Sequence, residues 1–339
     1  MNAIRYSFIL IVTSLNFICG AQTSGYKTVN KFPLPGDEKW DYLYSDDQEG
    51  KLYVSHGTMV QVVDETTGSI IGTITGMNGV HGIAIANGIG KGFISSGKDT
   101  AVTSFDIRSF KVLAKIKVTG TNPDGIIYDS FSGNIFVFNG KSNNSTVIDP
   151  IKEKVVSTIN LSGKPEAAVS DGKGHVWVNL ENESQICQIS TSTLKAEKRW
   201  SLAPGEKPSG LALDTENHRL FSVCGNKMMV VSDALEGKVI TSVPIGENPD
   251  GAAFDPLIKC IYSSNGDGTV TVVSEVNNNS YNVKETIQTQ RGAKTIAINR
   301  KNHHVYVSAS ETRNQAEVGK KPAIVPGSFK VLDIAPIRF

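Results

Sequence analysis

One pattern recurs seven times between residues 40 and 337, and it constrains the fold more than any single motif does. A polar residue stands just before a short run of small and apolar residues at Asp41, His81, Asp124, Glu166, Ser209, Asp250 and Lys294, at intervals of 40 to 44 residues. A period of about 42 residues is the length of a four-stranded propeller blade, a unit that buries its apolar faces only by stacking on its neighbours.

The grammar inside each unit is that of strands. After the anchor come runs such as Gly82-Ile83-Ala84-Ile85, Gly125-Ile126-Ile127-Tyr128 and Gly210-Leu211-Ala212-Leu213, whose small residues suit strands crowded around an axis. Five residues past the anchor stand Asp46, Asp129, Asp171, Asp214, Asp255 and Asn299, with Asn87 one place later in the second unit. These side chains are expected to accept from backbone amides two residues on and so start a tight turn. A second strand rich in aromatic and β-branched residues follows, as in Leu52-Tyr53-Val54-Ser55 and Val305-Tyr306-Val307-Ser308. The third strand is expected to end at Asp64, Asp106, Asp149, Ser190, Asp233 and Ser274, followed by a hairpin turn and an outer strand. Helical periodicity is nowhere sustained, so the chain reads as all-β.

The expected fold is therefore a seven-bladed β-propeller of four antiparallel strands per blade, as one domain over 22–339. The blades fall near 40–76, 80–120, 122–163, 164–206, 207–247, 248–292 and 293–337. The last unit stops after a third strand, Phe329–Ile334, and lacks a fourth. Residues 26–34 (Tyr26-Lys27-Thr28-Val29 to Leu34) have the cast of an outer strand and are expected to complete blade seven, which closes the ring and removes exposed sheet edges.

Ahead of that strand, Arg5, an apolar run from Tyr6 to Ile18 and the small residues Cys19-Gly20-Ala21 read as a secretory signal peptide over residues 1–21. Its apolar run is too short to span a bilayer, and no membrane span is expected elsewhere. Cleavage after Ala21 is favoured over lipid anchoring at Cys19, because bulky Ile18 sits where a small residue is wanted. The protein is thus expected to be exported, to the periplasm or outside the cell, and to be a monomer. Without Arg5 the chain has 33 basic and 33 acidic residues, a balance that argues against a broad nucleic-acid surface. Cys187, Cys224 and Cys260 are odd in number and lack any CxxC spacing, so they are expected to be core thiols.

The stretches Tyr53-Val54-Ser55, Tyr306-Val307-Ser308, Asn122-Pro123-Asp124-Gly125, Asn248-Pro249-Asp250-Gly251 and Lys207-Pro208-Ser209-Gly210 resemble the YncE-like, YVTN-repeat proteins, and so does Val62-Val63-Asp64 through Gly68 to Ile74. The resemblance covers about residues 26–337. It implies an exported bacterial seven-bladed propeller of the quinoprotein-amine-dehydrogenase-like group, and it implies little about chemistry, because propellers host unrelated functions.

The anchors are expected to converge on the channel mouth: Asp41, His81, Asp124, Glu166, Ser209, Asp250 and Lys294, with Trp40 beside them. Crowded carboxylates favour a bound cation, and Asp124, Glu166 and Asp250 are the candidate ligands of calcium or magnesium. The competing reading makes Asp124 and Asp250 turn devices that accept from local amides. Blade seven carries an insert near residues 310–326, expected to lie over the mouth as a flap with Arg313, Lys320 and Lys321. His303 and His304 are expected on the opposite face, solvated. No GxSxG, HExxH or CxxCH motif occurs, and neither haem nor a quinone is expected.

The reading favoured by these observations is a non-catalytic binding module whose mouth and flap hold a protein, glycan or small-molecule ligand. Two alternatives stand beside it: a metal-dependent lactonase- or lyase-like enzyme with His81 as general base, and a binder of single-stranded nucleic acid.

Overall fold

A computed structural model describes residues 25–313 and 323–337. It contains seven four-stranded antiparallel sheets arranged in sequence order, so the all-β, seven-bladed reading holds. In blade one the strands are Trp40–Asp46, Lys51–His56, Met59–Asp64 and Ile70–Ile74, ordered from the axis outwards. The inner strands of the seven blades, from Trp40–Asp46 round to Lys294–Asn299, each pack on the next, and the last packs on the first.

Closure follows the expected scheme. Tyr26–Pro33 pairs antiparallel with Lys330–Pro336, from Tyr26↔Pro336 to Pro33↔Lys330, and is the outer strand of blade seven. The first 24 residues, and with them the expected signal peptide, lie outside the described residues.

The core is divided rather than central. Seven clusters of buried apolar residues lie one at each junction between blades. Tyr53, fully buried, belongs to the junction of blades one and two; Tyr306, equally buried, belongs to that of seven and one. Alternation explains the arrangement, since successive strand residues point into opposite junctions. Cys187, Cys224 and Cys260 are free and buried within these clusters.

Near the axis the fold needs glycine for space rather than for an unusual φ. A Cβ at Gly82 would sit 2.9 Å from the Asp124 carbonyl, and one at Gly125 would sit 2.9 Å from the Glu166 carbonyl. Each blade's anchor backbone thus lies where its neighbour would have a side chain. The serine of the Tyr-Val-Ser pattern fixes the same contact: Ser55 Oγ donates to the His81 carbonyl of the next blade, and Ser95 Oγ to that of Asp124. In blade four Asn179 Nδ2 takes this part, donating to the carbonyls of Ser209 (3.1 Å) and Gly210 (3.0 Å).

The turns away from the mouth are built as expected. Asp46, Asp129, Asp171, Asp214, Asp255 and Asn299 accept from amides two or three residues on, for example Glu216 N to Asp214 Oδ1 at 2.9 Å. Two expectations are corrected. The third strand of blade six runs past Ser274 to Asn277, because its hairpin with Ser280–Gln288 is longer than those of the other blades. His303 and His304 are not simply solvated: their Nδ1 atoms each donate at 2.7 Å to an aspartate carboxylate, Asp255 and Asp333, and both carboxylates are fully buried. The turn carries the two imidazoles onto neighbouring strands that sequence distance conceals.

Candidate functional site

A cavity of about 710 Å³ runs along the axis between the inner strands. Its middle is apolar, with Ile83, Ile126, Leu211 and Ile296 in the wall. The anchors precede the inner strands, so Asp41, Asp124, Glu166, Ser209 and Asp250 line one end. Arg300, which follows the last inner strand, lines the other end, where it donates to Asp47 at 2.7 Å.

The acidic end is organised in pairs. His81 Nδ1 donates to Asp41 Oδ2 at 2.5 Å and lies 3.9 Å from Asp124 Oδ1. Burial works against the charged imidazole, but the hydrogen bond to Asp41 and the field of Asp124 outweigh it and hold the His81 pKa above its usual value. Burial pushes Asp124 up to about 7, with His81 opposing and Asp41 and Glu166 reinforcing. Lys164 bridges Glu166, at 2.7 Å, and Glu181. Even so, burial keeps the Glu166 carboxyl above its usual range. Asp250 is also raised by burial, although Lys294 opposes the rise.

Asp124 and Asp250 are not the local turn devices that one reading made them. Among the described residues no amide of its own turn donates to either carboxylate; Asp250 Oδ2 accepts from Thr295 N of the next blade at 3.0 Å. The turn is set instead by Asn122 and Asn248 at φ +56° and +52°, a left-handed conformation that asparagine tolerates better than most residues. Ser209 Oγ donates to the Pro249 carbonyl at 3.2 Å and so ties blade five to blade six.

Two expected site residues are placed differently. Trp40 does not line the cavity: it stacks on Phe329, ring centroids 5.3 Å apart, and packs into the junction of blades seven and one. A register shift between Trp40 and Leu43 breaks the alternation of the strand there, so Trp40 turns away while Asp41 and Tyr42 both line the cavity. Lys294 is exposed and off the cavity wall, acting on Asp250 through its charge. Of the flap, Arg313 is exposed at the base of a short hairpin, Thr312–Arg313 with Ala323–Ile324, while Lys320 and Lys321 lie outside the described residues. The hairpin base is tied down by Lys330 Nζ to Glu311 at 3.1 Å and by Gly327 N to Asp37 at 2.6 Å.

One participant escapes a motif search. Tyr42 lines the cavity, and its hydroxyl is 3.6 Å from where a Cβ on Gly125 would lie. Burial, followed by the charges of Asp124, Asp41, Glu166 and Asp250, drives its pKa well above the tyrosine range. The sequence does hold a signal for it. The residue after the anchor is Gly82, Gly125, Ala167, Gly210, Gly251 or Thr295 in the other blades, and only blade one has a bulky side chain there.

The expected metal set is not assembled as written. Asp124 belongs to a group whose ligand atoms lie within 4.8 Å of one another, but its companions are Asp41 and His81 rather than Glu166 and Asp250.

With the geometry established, similarity to known proteins can be placed. No family model matches the chain. It is 22% identical over 240 residues to the uncharacterized protein YncE of Salmonella typhimurium, covering 66% of this chain and 67% of that protein. Among solved structures, hydrazine synthase of Kuenenia stuttgartiensis superposes with a TM-score of 0.69 at 17% identity, over 81% of this chain and 94% of that chain. The latter similarity is one of fold. The chain is a seven-bladed β-propeller that is similar in sequence to YncE.

Proposed function

We propose that the protein is a non-catalytic binding module that takes its ligand at the acidic mouth of the axial channel, and that the bound state places positive charge there. One observation carries this reading: the cavity wall holds four carboxylates at one end, and its only cation among the described residues, Arg300, is at the other end and tied to Asp47. Lys164, Lys294 and His81 stand behind the wall, with Glu181 adding a further negative charge. Partly desolvated carboxylates that outnumber their cations are stabilised by a cation that enters. A cavity of about 710 Å³ with an apolar throat and a few convergent polar groups has the size and lining of a small-molecule or side-chain site. The blade-seven hairpin on the same face would add contacts to a larger partner. The signal read at residues 1–21 would deliver the module to the periplasm or the cell exterior, and no helix among the described residues is long and apolar enough to cross a membrane.

Thermal unfolding against divalent metals, organic amines and matched organic anions tests the reading. A cation at 100 times its Kd adds about 2.7 kcal/mol, an upward shift of about 5 °C for a chain of this size. The shift is expected for a cation, and E166Q is expected to reduce it. Stabilisation by anions alone, or by nothing in the series, overturns the reading.

A further inference from the structure

We infer that the positive charge at the mouth is a divalent metal ion of the zinc–cobalt class, held by Asp41, His81 and Asp124. The inference rests on the mouth being the binding site and names what binds there first.

The donor set is the first argument. Its imidazole nitrogen and two carboxylates come from three successive blades, and their ligand atoms lie within 4.8 Å of one another. Zinc takes imidazole nitrogen at 2.0–2.1 Å and carboxylate oxygen at 2.0–2.2 Å, so tetrahedral donors stand about 3.3 Å apart. The observed separations of 2.5 Å, between His81 Nδ1 and Asp41 Oδ2, and 3.9 Å, between His81 Nδ1 and Asp124 Oδ1, bracket that value. An ion is thus admitted by small side-chain rotations, with no movement of the strands. Calcium prefers six to eight oxygens, and an imidazole in a three-residue set favours the later transition metals.

The surroundings are the second argument. The Nε2 edge of the His81 ring lies over Gly97, where a Cβ would be 2.7 Å away, so the ring is seated with Nδ1 towards the carboxylates. The backbones of two ligands are fixed from the preceding blade, because Ser55 and Ser95 donate to the carbonyls of His81 and Asp124. Asp41 and Asp124 line the cavity, so an ion held by them adjoins the channel. The Tyr42 hydroxyl, which makes no hydrogen bond among the described residues, lies beside Gly125, in the field of all four carboxylates. Three protein ligands and one open position facing a cavity form the arrangement of a zinc site that accepts a water or a ligand atom.

The full chain, stripped with a chelator and dialysed, is titrated with Zn²⁺, Co²⁺, Ca²⁺ and Mg²⁺ by calorimetry and thermal unfolding, with the visible spectrum of Co²⁺ as a direct readout of the donors. Zn²⁺ and Co²⁺ are expected to bind at about one equivalent, to raise the melting temperature by about 5 °C at 100-fold saturation, and to do so more strongly than Ca²⁺ or Mg²⁺. In H81A and in D41N the affinity is expected to fall by more than about 100-fold and the cobalt bands to change, while the metal-free melting temperature stays within a few degrees of the parent's. E197Q, exposed in the outer strand of blade four, is expected to leave the cobalt spectrum unaltered. Zn²⁺ and Co²⁺ binding that survives in both H81A and D41N overturns the assignment, as does an absence of binding in a parent chain that folds. If organic amines stabilise the parent and these metals do not, the metal site falls and the acidic-mouth reading stands; if neither does, both fall.

Discussion

At the scale of the residue, one side chain serves different ends according to its neighbours. Aspartate at the end of an inner strand is a structural acceptor, whereas aspartate at the start of one is a desolvated charge. Asp214 shows the first use. Burial opposes its ionised form, but the amides of Glu216 and Asn217, the Asn217 side chain and the nearby Lys259 outweigh this and hold its pKa below the usual aspartate value. A carboxylate depressed in the folded state contributes stability above its unfolded pKa of about 4, and the contribution is lost as pH falls through the folded value. D214N keeps an acceptor for the amides and loses the charge. It is therefore expected to cost about 1 kcal/mol at pH 7, with the difference from the parent shrinking below pH 4. Denaturant melts of both proteins from pH 2 to 8 check this; a difference that stays constant across the range would assign the effect to packing. These Asx turns were legible in sequence because their partners lie two or three residues away. The Asp41–His81 pair was not, because its members are 40 residues apart and meet only through the ring. Tyr42 was half legible: the repeat marks it as the exception to a small-residue position, but only the fold shows that this position faces the axis.

At the scale of the element, the second strand of each blade does more than fill a sheet. In blades one and two its aromatic residue enters one junction, and two places on Ser55 or Ser95 reaches across to the next blade's anchor. Ser95, fully buried, accepts from Gly82 N at 2.9 Å and donates to the Asp124 carbonyl. S95A strands both an amide and a carbonyl, and an unsatisfied buried group costs about 1–3 kcal/mol. The expected result is a melting temperature lower by several degrees and, because Asp124 loses its backbone tether, weaker cation binding at the mouth. S145A removes a buried serine hydroxyl that makes no hydrogen bond among the described residues, so it should do neither. Calorimetric melts with cation titrations compare the two; equal effects would deny the serine a specific part in setting the mouth. The pattern Tyr-Val-Ser thus carried structural content that strand propensity alone does not express. Trp40 and the histidine pair were misplaced for the converse reason: a register shift in the first strand turns Trp40 away from the axis, and a tight turn presents its side chains to strands remote in sequence.

At the scale of the whole molecule, stability depends on closing the ring, since the apolar core is shared among junctions and no blade has one of its own. Tyr26–Pro33 acts at two of them. Tyr26 packs into the junction of blades six and seven, where its hydroxyl meets that of Tyr262 at 2.8 Å, and Phe32 with Leu34 packs into the junction of seven and one. Removing residues 1–34 exposes the Lys330–Pro336 edge and takes Tyr26, Phe32 and Leu34 from two clusters at once. At about 2 kcal/mol or more for each large apolar side chain, the loss approaches the whole net stability of an ordinary domain of about 5–15 kcal/mol. Repeat architectures couple neighbours, so the damage is expected to spread from blade seven into blades six and one rather than stay local. The trimmed chain should unfold at least about 10 °C lower, with a broader transition, and a peptide of residues 25–36 added in trans should restore part of the loss. Hydrogen exchange should then show the earliest opening in blade seven and its two neighbours. Because Asp41 stands in blade one beside that closure, cation binding at the mouth should weaken in the same step and return with the peptide. A trimmed chain that melts as the parent does would mean that the ring is held by its inner strands, and that the outer strand of blade seven only covers an edge.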